Sequence, residues 1–148
     1  MPKTIIYRHR RENLKKCSLT GLENHPDLQF YTYPIDPLPN LSNYCLLTPD
    51  GKPLTAEDKG LFLIDATWKL AAIMQKQLPA NMPCRSLPAA FQTAYPRRPN
   101  PPQGLASIEA LYIAHLITKK NINNLLDNYY WKDLFLKKNS LLIKEYLE

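Results

Sequence analysis

Apolar and polar positions follow two rhythms along this chain. Up to about residue 80 the apolar positions come in short runs separated by polar corners. Thr4–Tyr7 is short and rich in β-branched and aromatic residues, which predicts a strand. Phe30–Ile35 predicts a second strand, closed off by Pro34, Pro37 and Pro39, and Tyr44–Leu47 a third. The third runs into Thr48-Pro49-Asp50-Gly51, whose Pro-Asp-Gly is turn chemistry. Thr55-Ala-Glu-Asp58 has the form of a capping box that starts a brief helix. Leu61–Ile64 is apolar throughout, the pattern of a strand buried on both faces. The polar corner Asp65-Ala66-Thr67-Trp68 follows, and Lys69–Leu78 then reads as a helix. Strand, corner and helix make a βα unit of a mostly parallel sheet.

Half of the fourteen prolines lie between Pro79 and Pro102, which excludes regular helix or a central strand there. Ser86–Ala94 within this stretch is apolar enough to pack. From Ser107 the rhythm becomes helical, with Ile108, Leu111, Tyr112 and His115 on one stripe. Ser107 is the expected N-cap, and Glu109 suits the positive end of the helix dipole. Ile122, Leu125, Leu126 and Tyr129 form a second stripe, and Trp131–Leu136 and Leu141–Leu147 supply more. The expected organisation is an N-terminal α/β part, residues 1–80, followed by a Pro-rich loop and a mainly helical part, residues 81–148.

Composition narrows the classes. With 148 residues, 45% of them hydrophobic, the chain can bury one real core and is not disordered. A net charge of +6 and a pI near 9.2 fit an anionic partner such as nucleic acid, or simply a solvated basic surface. Cys17, Cys45 and Cys84 are far apart, and His9, His25 and His115 do not bracket them at zinc spacing. Neither a metal site nor a disulfide framework is expected, and free thiols suit a reducing cytoplasm. The N-terminal residues do not form a signal peptide, and no apolar run is long enough for a membrane span. A cytoplasmic protein without membrane contact is expected, by default a monomer.

Only Gly21, Gly51, Gly60 and Gly104 are present, so G-x-G-x-x-G, P-loop and G-x-S-x-G motifs are all absent. Three segments stand out: Lys15-Lys16-Cys17-Ser18-Leu19-Thr20-Gly21; Leu63-Ile64-Asp65-Ala66-Thr67-Trp68; and Arg85-Ser86-Leu87-Pro88, continued by Gly104-Leu105-Ala106-Ser107-Ile108-Glu109-Ala110. Ligands of open α/β sheets bind beyond the carboxyl ends of the strands, where Asp65 and Trp68 are expected. On its own an Asp there is more often a helix cap, and a Trp early in a helix more often core.

Taken in order, Asp-x-x-Trp, Arg-x-Leu-Pro and Leu-Ala-Ser-Ile-Glu-Ala resemble the aminocarboxypropyltransferases that act on RNA. These comprise a small-subunit rRNA branch of ribosome biogenesis and the DTW-domain tRNA enzymes. Lys-Lys-Cys-Ser and the Leu-Leu-Thr-Pro loop lean toward the rRNA branch, and the resemblance runs from about Tyr7 to the C-terminal helices. It implies a SPOUT-like α/β fold, a mostly parallel sheet with a trefoil knot, plus a C-terminal helical part. It also implies S-adenosylmethionine (SAM) as cosubstrate. By resemblance, Ser18 and Thr20 would hold the carboxylate end of SAM. Leu47 and Thr48 would line the ribose and adenine pocket, and Leu87, Leu105, Ala106 and Ser107 would close over the adenine. Trp68 would pack against the methionine part. The chain departs from the rRNA branch at Arg8–Leu14, where a Cys-Asp-Pro element is usual, and at Tyr95-Pro96, where Asn-Pro is usual.

The implied reaction moves the 3-amino-3-carboxypropyl group to a pyrimidine imino nitrogen, N3 of uridine or pseudouridine in rRNA, and releases methylthioadenosine. Such an enzyme must bury the methyl of the sulfonium and present the γ-carbon, so orientation decides the product. Asp65 is the available base for the imino proton, with the helix cap as its other reading. Arg8, Arg10, Lys15, Lys16, Arg85, Arg97 and Arg98 would meet RNA phosphates. The alternatives are a SPOUT-type RNA methyltransferase, a tRNA aminocarboxypropyltransferase and a non-catalytic RNA-binding assembly factor.

Overall fold

The computed structural model describes residues 2–15, 17–96 and 104–148. Among them five strands form one all-parallel sheet in the order β2-β1-β4-β3-β5. The strands are β1 (Thr4–His9), β2 (Leu28–Tyr33), β3 (Tyr44–Pro53), β4 (Gly60–Asp65) and β5 (Cys84–Ser86). Helix α1 (Trp68–Gln75) follows β4, and α2 (Ser107–Ile117), α3 (Lys132–Lys138) and α4 (Ser140–Leu147) complete the chain. The α/β class and the parallel sheet expected from the sequence are thus present.

The central strands β1 and β4 are apolar on both faces, because each face is covered. Ile5, Tyr7, Phe62 and Met74 form the core on the side of α1. Ile6, Leu61 and Leu63 point the other way, into the larger core shared with α2 and the C-terminal helices. Alternation along each strand divides the two sets. Helix α2 is buried nearly all round: Ile113, Ala114, Leu116 and Ile117 join Ile108, Leu111 and Tyr112 in the interior. A stripe was expected, but α2 is the central helix, covered on more than one side. His115 lies within it, its Nε2 2.7 Å from the Thr4 hydroxyl and its Nδ1 2.9 Å from the Asn121 carbonyl.

Four local expectations are corrected. Thr48–Gly51 does not reverse the chain: Leu47 and Lys52 both pair with Arg85, so the four residues bulge out and β3 resumes beyond them. A Cβ on Gly51 would collide with the backbone of Cys84 and Arg85, so this close approach needs glycine. Thr55–Asp58 is a capped turn and no helix, closed by Asp58 N to Thr55 O at 3.1 Å and Thr55 N to Asp58 Oδ2 at 2.9 Å. The stripe Ile122–Tyr129 is a series of turns; Asn124, at φ 67°, breaks a helix, although Leu125, Leu126 and Tyr129 are buried as a stripe would be. The N-cap of α2 is Ala106, one residue before the expected Ser107, and its amide donates to the Glu109 carboxylate at 2.8 Å. Among the described residues no helix is long and apolar enough to cross a membrane.

Candidate functional site

Parallel pairing puts every strand's carboxyl end on one edge, and a buried polar cluster is built there. Arg8 and Asp65 are register partners on β1 and β4. Asp65 is 3% exposed. Its Oδ2 accepts from Arg8 Nε at 3.0 Å and from the Cys17 thiol at 3.1 Å, and its Oδ1 accepts from the Ser107 hydroxyl at 3.2 Å. Four segments distant in sequence therefore meet at one carboxylate. The cap reading of Asp65 does not hold, because α1 is capped by Thr67, whose hydroxyl accepts from Leu70 N.

Arg8 also donates from Nη1 to Glu23 at 2.9 Å, and its guanidinium lies 4.8 Å from the centre of the Phe30 ring. Burial alone would lower the Arg8 pKa, but the hydrogen bonds to Glu23 and Asp65 outweigh it and raise it. Burial likewise works against a charged Glu23, yet Arg8 holds its carboxyl below the usual range. Cys17 is pushed up to about 12, first by burial and then by the neighbouring Asp65 charge. Its thiol is a hydrogen-bond donor here. Glu12 completes, with Cys17 and Asp65, a group whose ligand-type atoms lie within 4.8 Å of one another. Arg8 already neutralises its centre, and the raised Cys17 pKa works against a thiolate, so the donor set favours hydrogen bonding over cation binding.

The loop after β1 packs onto this cluster. Leu19 N donates to Cys17 Sγ at 3.4 Å, and the Ser18 hydroxyl accepts from Ile108 N at 3.1 Å, tying the loop to the start of α2. Thr20 donates its hydroxyl proton to the Leu14 carbonyl. Gly21, at φ 105°, turns the chain where a Cβ would meet Asn128.

The other expected cosubstrate residues follow the same edge. Leu47 and Thr48 stand at the β3 bulge, and Leu87 leaves the end of β5. Leu105 is half-buried and Ala106 buried beside Ser107. Trp68, the first residue of α1, is 54% exposed at the rim, with Lys69 Nζ 5.9 Å from its ring centre.

The basic residues are divided. Arg8 is buried in its ion pairs, and half-buried Arg85 is engaged with Asp58 at 3.1 Å and with the Cys84 carbonyl at 2.9 Å. Arg10 and Lys15 are exposed on the loop after β1. Lys16, Arg97 and Arg98 lie outside the described residues. A groove of about 770 Å³ opens at the opposite edge, lined by Asn43, Tyr44, Asp58 and Gly60 near the amino ends of β3 and β4.

Sequence reasoning missed the ion-pair partner of Arg8, namely Asp65, and the parts of Glu23 and Cys17. The available signal was that Arg8 directly follows the apolar run Ile5–Tyr7 within β1.

An all-parallel sheet whose loops converge at the carboxyl edge places the chain in the α/β class, in which ligands commonly bind beyond that edge. In overall structure the chain is similar to the SAM-dependent rRNA:acp-transferase Tsr3 from Vulcanisaeta distributa, with a TM-score of 0.73 and 25% identity, covering 98% of this chain and 82% of that one. The resemblance to RNA aminocarboxypropyltransferases is borne out by this likeness. No protein-family model and no curated protein matches the sequence.

Proposed function

We propose that this protein transfers the 3-amino-3-carboxypropyl group of SAM to a pyrimidine N3 of rRNA and releases methylthioadenosine. The likeness to an rRNA:acp-transferase over 98% of the chain carries this reading. The cluster at the carboxyl edge adds to it, since it joins three of the segments the family resemblance singles out. SAM supplies an electrophilic sulfonium carbon; the protein's part is orientation.

The residues present suit that cosubstrate. Ser18 accepts from Ile108 N, which leaves its hydroxyl proton to donate to a carboxylate. Thr20 gives its proton to Leu14 and shapes the loop that presents Ser18. Trp68 offers an exposed apolar face for the methyl and methionine part. Leu47 and Thr48 at the β3 bulge and Leu87 just after β5 form the ribose and adenine wall, and Leu105, Ala106 and Ser107 close it. Asp65 would act as base for the imino proton only by releasing one of its three donors. Arg8, Cys17 and Ser107 already occupy its two oxygens, so the geometry favours a positioning role. Arg10 and Lys15, with Lys16, Arg85, Arg97 and Arg98, would meet phosphates, Arg85 after leaving Asp58.

We infer further a SPOUT-type knotted topology, with residues 1–80 and 81–148 as its two parts, supported by the all-parallel sheet and by β5 joining it from the second part. We place the protein in the cytoplasm, on its free cysteines, acting as a monomer on small-subunit rRNA without a metal. The test uses rRNA and SAM labelled separately on the methyl and on the carboxyl carbon. Carboxyl label alone on the RNA is expected. Methyl label instead would make the protein a methyltransferase, and SAM binding with no transfer to any rRNA would leave a binding factor.

A further inference from the structure

Glu109, the third residue of α2, is wholly buried. Its Oε1 accepts from Ala106 N at 2.8 Å and from the Thr93 hydroxyl at 2.6 Å. Its Oε2 accepts from Ala94 N at 2.8 Å and from the Tyr129 hydroxyl at 2.9 Å. Four donors fill the acceptor capacity of a carboxylate, and each oxygen holds one backbone amide and one hydroxyl. Ala94 and Ala106 flank residues 95–105, so one side chain pins both ends of that stretch. The first end has a second grip. Asn139, 2% exposed, accepts from Gln92 N at 2.8 Å and donates to Gln92 O at 2.9 Å, and Lys138 Nζ reaches Thr93 O at 3.2 Å. The other end runs straight into Ser107 and Ile108, which bond to Asp65 and Ser18.

We propose that Glu109 is a positioning residue for the cosubstrate: by holding the amides of Ala94 and Ala106 it fixes Leu105–Ser107 against Asp65 and Ser18, and so sets affinity for SAM without touching the reacting atoms. This rests on the reading that Leu105, Ala106 and Ser107 close over the adenine. The chemistry of the clamp makes it sensitive to a one-atom change. Hydroxyls rotate and can accept, but a backbone amide only donates. Glutamine at this position, in either amide orientation, turns its NH₂ toward one of the two backbone amides and leaves that amide without an acceptor.

The test measures SAM binding by calorimetry and steady-state transfer to rRNA for the intact protein, Glu109→Gln and Thr93→Val. Glu109→Gln is expected to raise Kd and KM for SAM about tenfold, the equivalent of one unsatisfied buried amide. Its kcat at saturating SAM is expected to stay within about twofold, because the reacting groups are untouched. Thr93→Val keeps the carboxylate and both clamp amides but removes the hydroxyl that donates to Glu109 and accepts from Tyr95 N, and is expected to raise Kd about threefold or more. A folded Glu109→Gln with unchanged Kd, or one that loses kcat as much as it gains KM, overturns the proposal. Should Glu109→Gln not fold, an unchanged Kd in Thr93→Val overturns it instead. If the unaltered protein binds no SAM, the functional reading falls first, an outcome distinct from wild-type binding that the variants leave unchanged.

Discussion

Arg8 Nε lies 3.0 Å from Asp65 Oδ2, and the two residues are opposite one another on neighbouring parallel strands although 57 positions apart in the chain. Both are nearly buried, so each depends on the other for its charge. Removing one partner of such a pair leaves an uncompensated buried charge. Arg8→Met is expected to destabilise the fold by about 3–5 kcal/mol, which at this chain length lowers the melting temperature by roughly 10 °C. Adding Asp65→Asn to Arg8→Met is expected to recover part of that loss. Thermal unfolding of the two single variants and the double variant checks both statements, and strictly additive losses would show the pair to be uncoupled.

Trp68 separates binding from stability. It is 54% exposed, so its truncation removes little buried surface. Trp68→Ala is expected to shift the melting temperature by no more than about 2 °C, as surface changes do. SAM affinity is expected to fall about tenfold or more, on the scale of a lost aromatic contact. Thermal unfolding and a binding titration on one sample read both quantities.

Acid stability has an identifiable contributor in His115. Burial pushes its pKa down to about 4 from an ordinary 6.5. The folded chain keeps this ring neutral while the unfolded chain takes up a proton below pH 6.5. The unfolded state therefore binds more protons between pH 6.5 and 4, and stability falls as pH drops through that window. The contribution is on the order of 3 kcal/mol, fully present above pH 6.5 and gone below pH 4. Urea unfolding at pH 7.5, 6, 5 and 4 measures it; for His115→Gln, this part of the slope is expected to vanish.

Cysteine reactivity follows from burial. Cys17 is raised to about 12 and Cys45 to about 11, in both cases mainly by burial, so neither is a thiolate at pH 8. Iodoacetamide at that pH is expected to leave both unmodified in the folded protein and to alkylate both in urea. Mass spectrometry of digests reads the outcome. Rapid labelling of Cys17 in the folded state would contradict the donor role assigned to its thiol beside Asp65.

At Gly51 β3 runs close against β5. A Cβ there meets the backbone of Cys84 and Arg85, and a backbone cannot swing aside as a flexible side chain does. Gly51→Ala is expected to cost about 2–3 kcal/mol, in the range of overpacking, and to loosen β5. Denaturant unfolding gives the cost, and amide exchange at Arg85 and Ser86 reports the loosening.

Much was legible in the sequence, for a local reason. Thr4–Tyr7, Tyr44–Leu47 and Leu61–Ile64 announce strands, and Ser107 onward a helix, because burial imposes a period on neighbouring residues. The order of motifs ending in Leu-Ala-Ser-Ile-Glu-Ala pointed to the family resemblance that the comparison with Tsr3 bears out. What sequence could not reveal depends on contacts between remote segments. Ile122–Tyr129 carries a helical stripe but folds as turns, because Asn124 in the left-handed region and the packing of Leu125 and Leu126 override the periodicity. Arg8 reads as one of many basic residues. Only the parallel register of β1 and β4 sets it against Asp65 and makes it an internal counter-ion. Glu109 reads as a favourable charge at a helix start. Only the return of Thr93, Ala94 and Tyr129 to that helix turns it into a buried clamp. Period and residue type are properties of neighbours in the chain and determine the elements. Which polar groups must pair is decided by burial between elements, and that is a property of the tertiary structure alone.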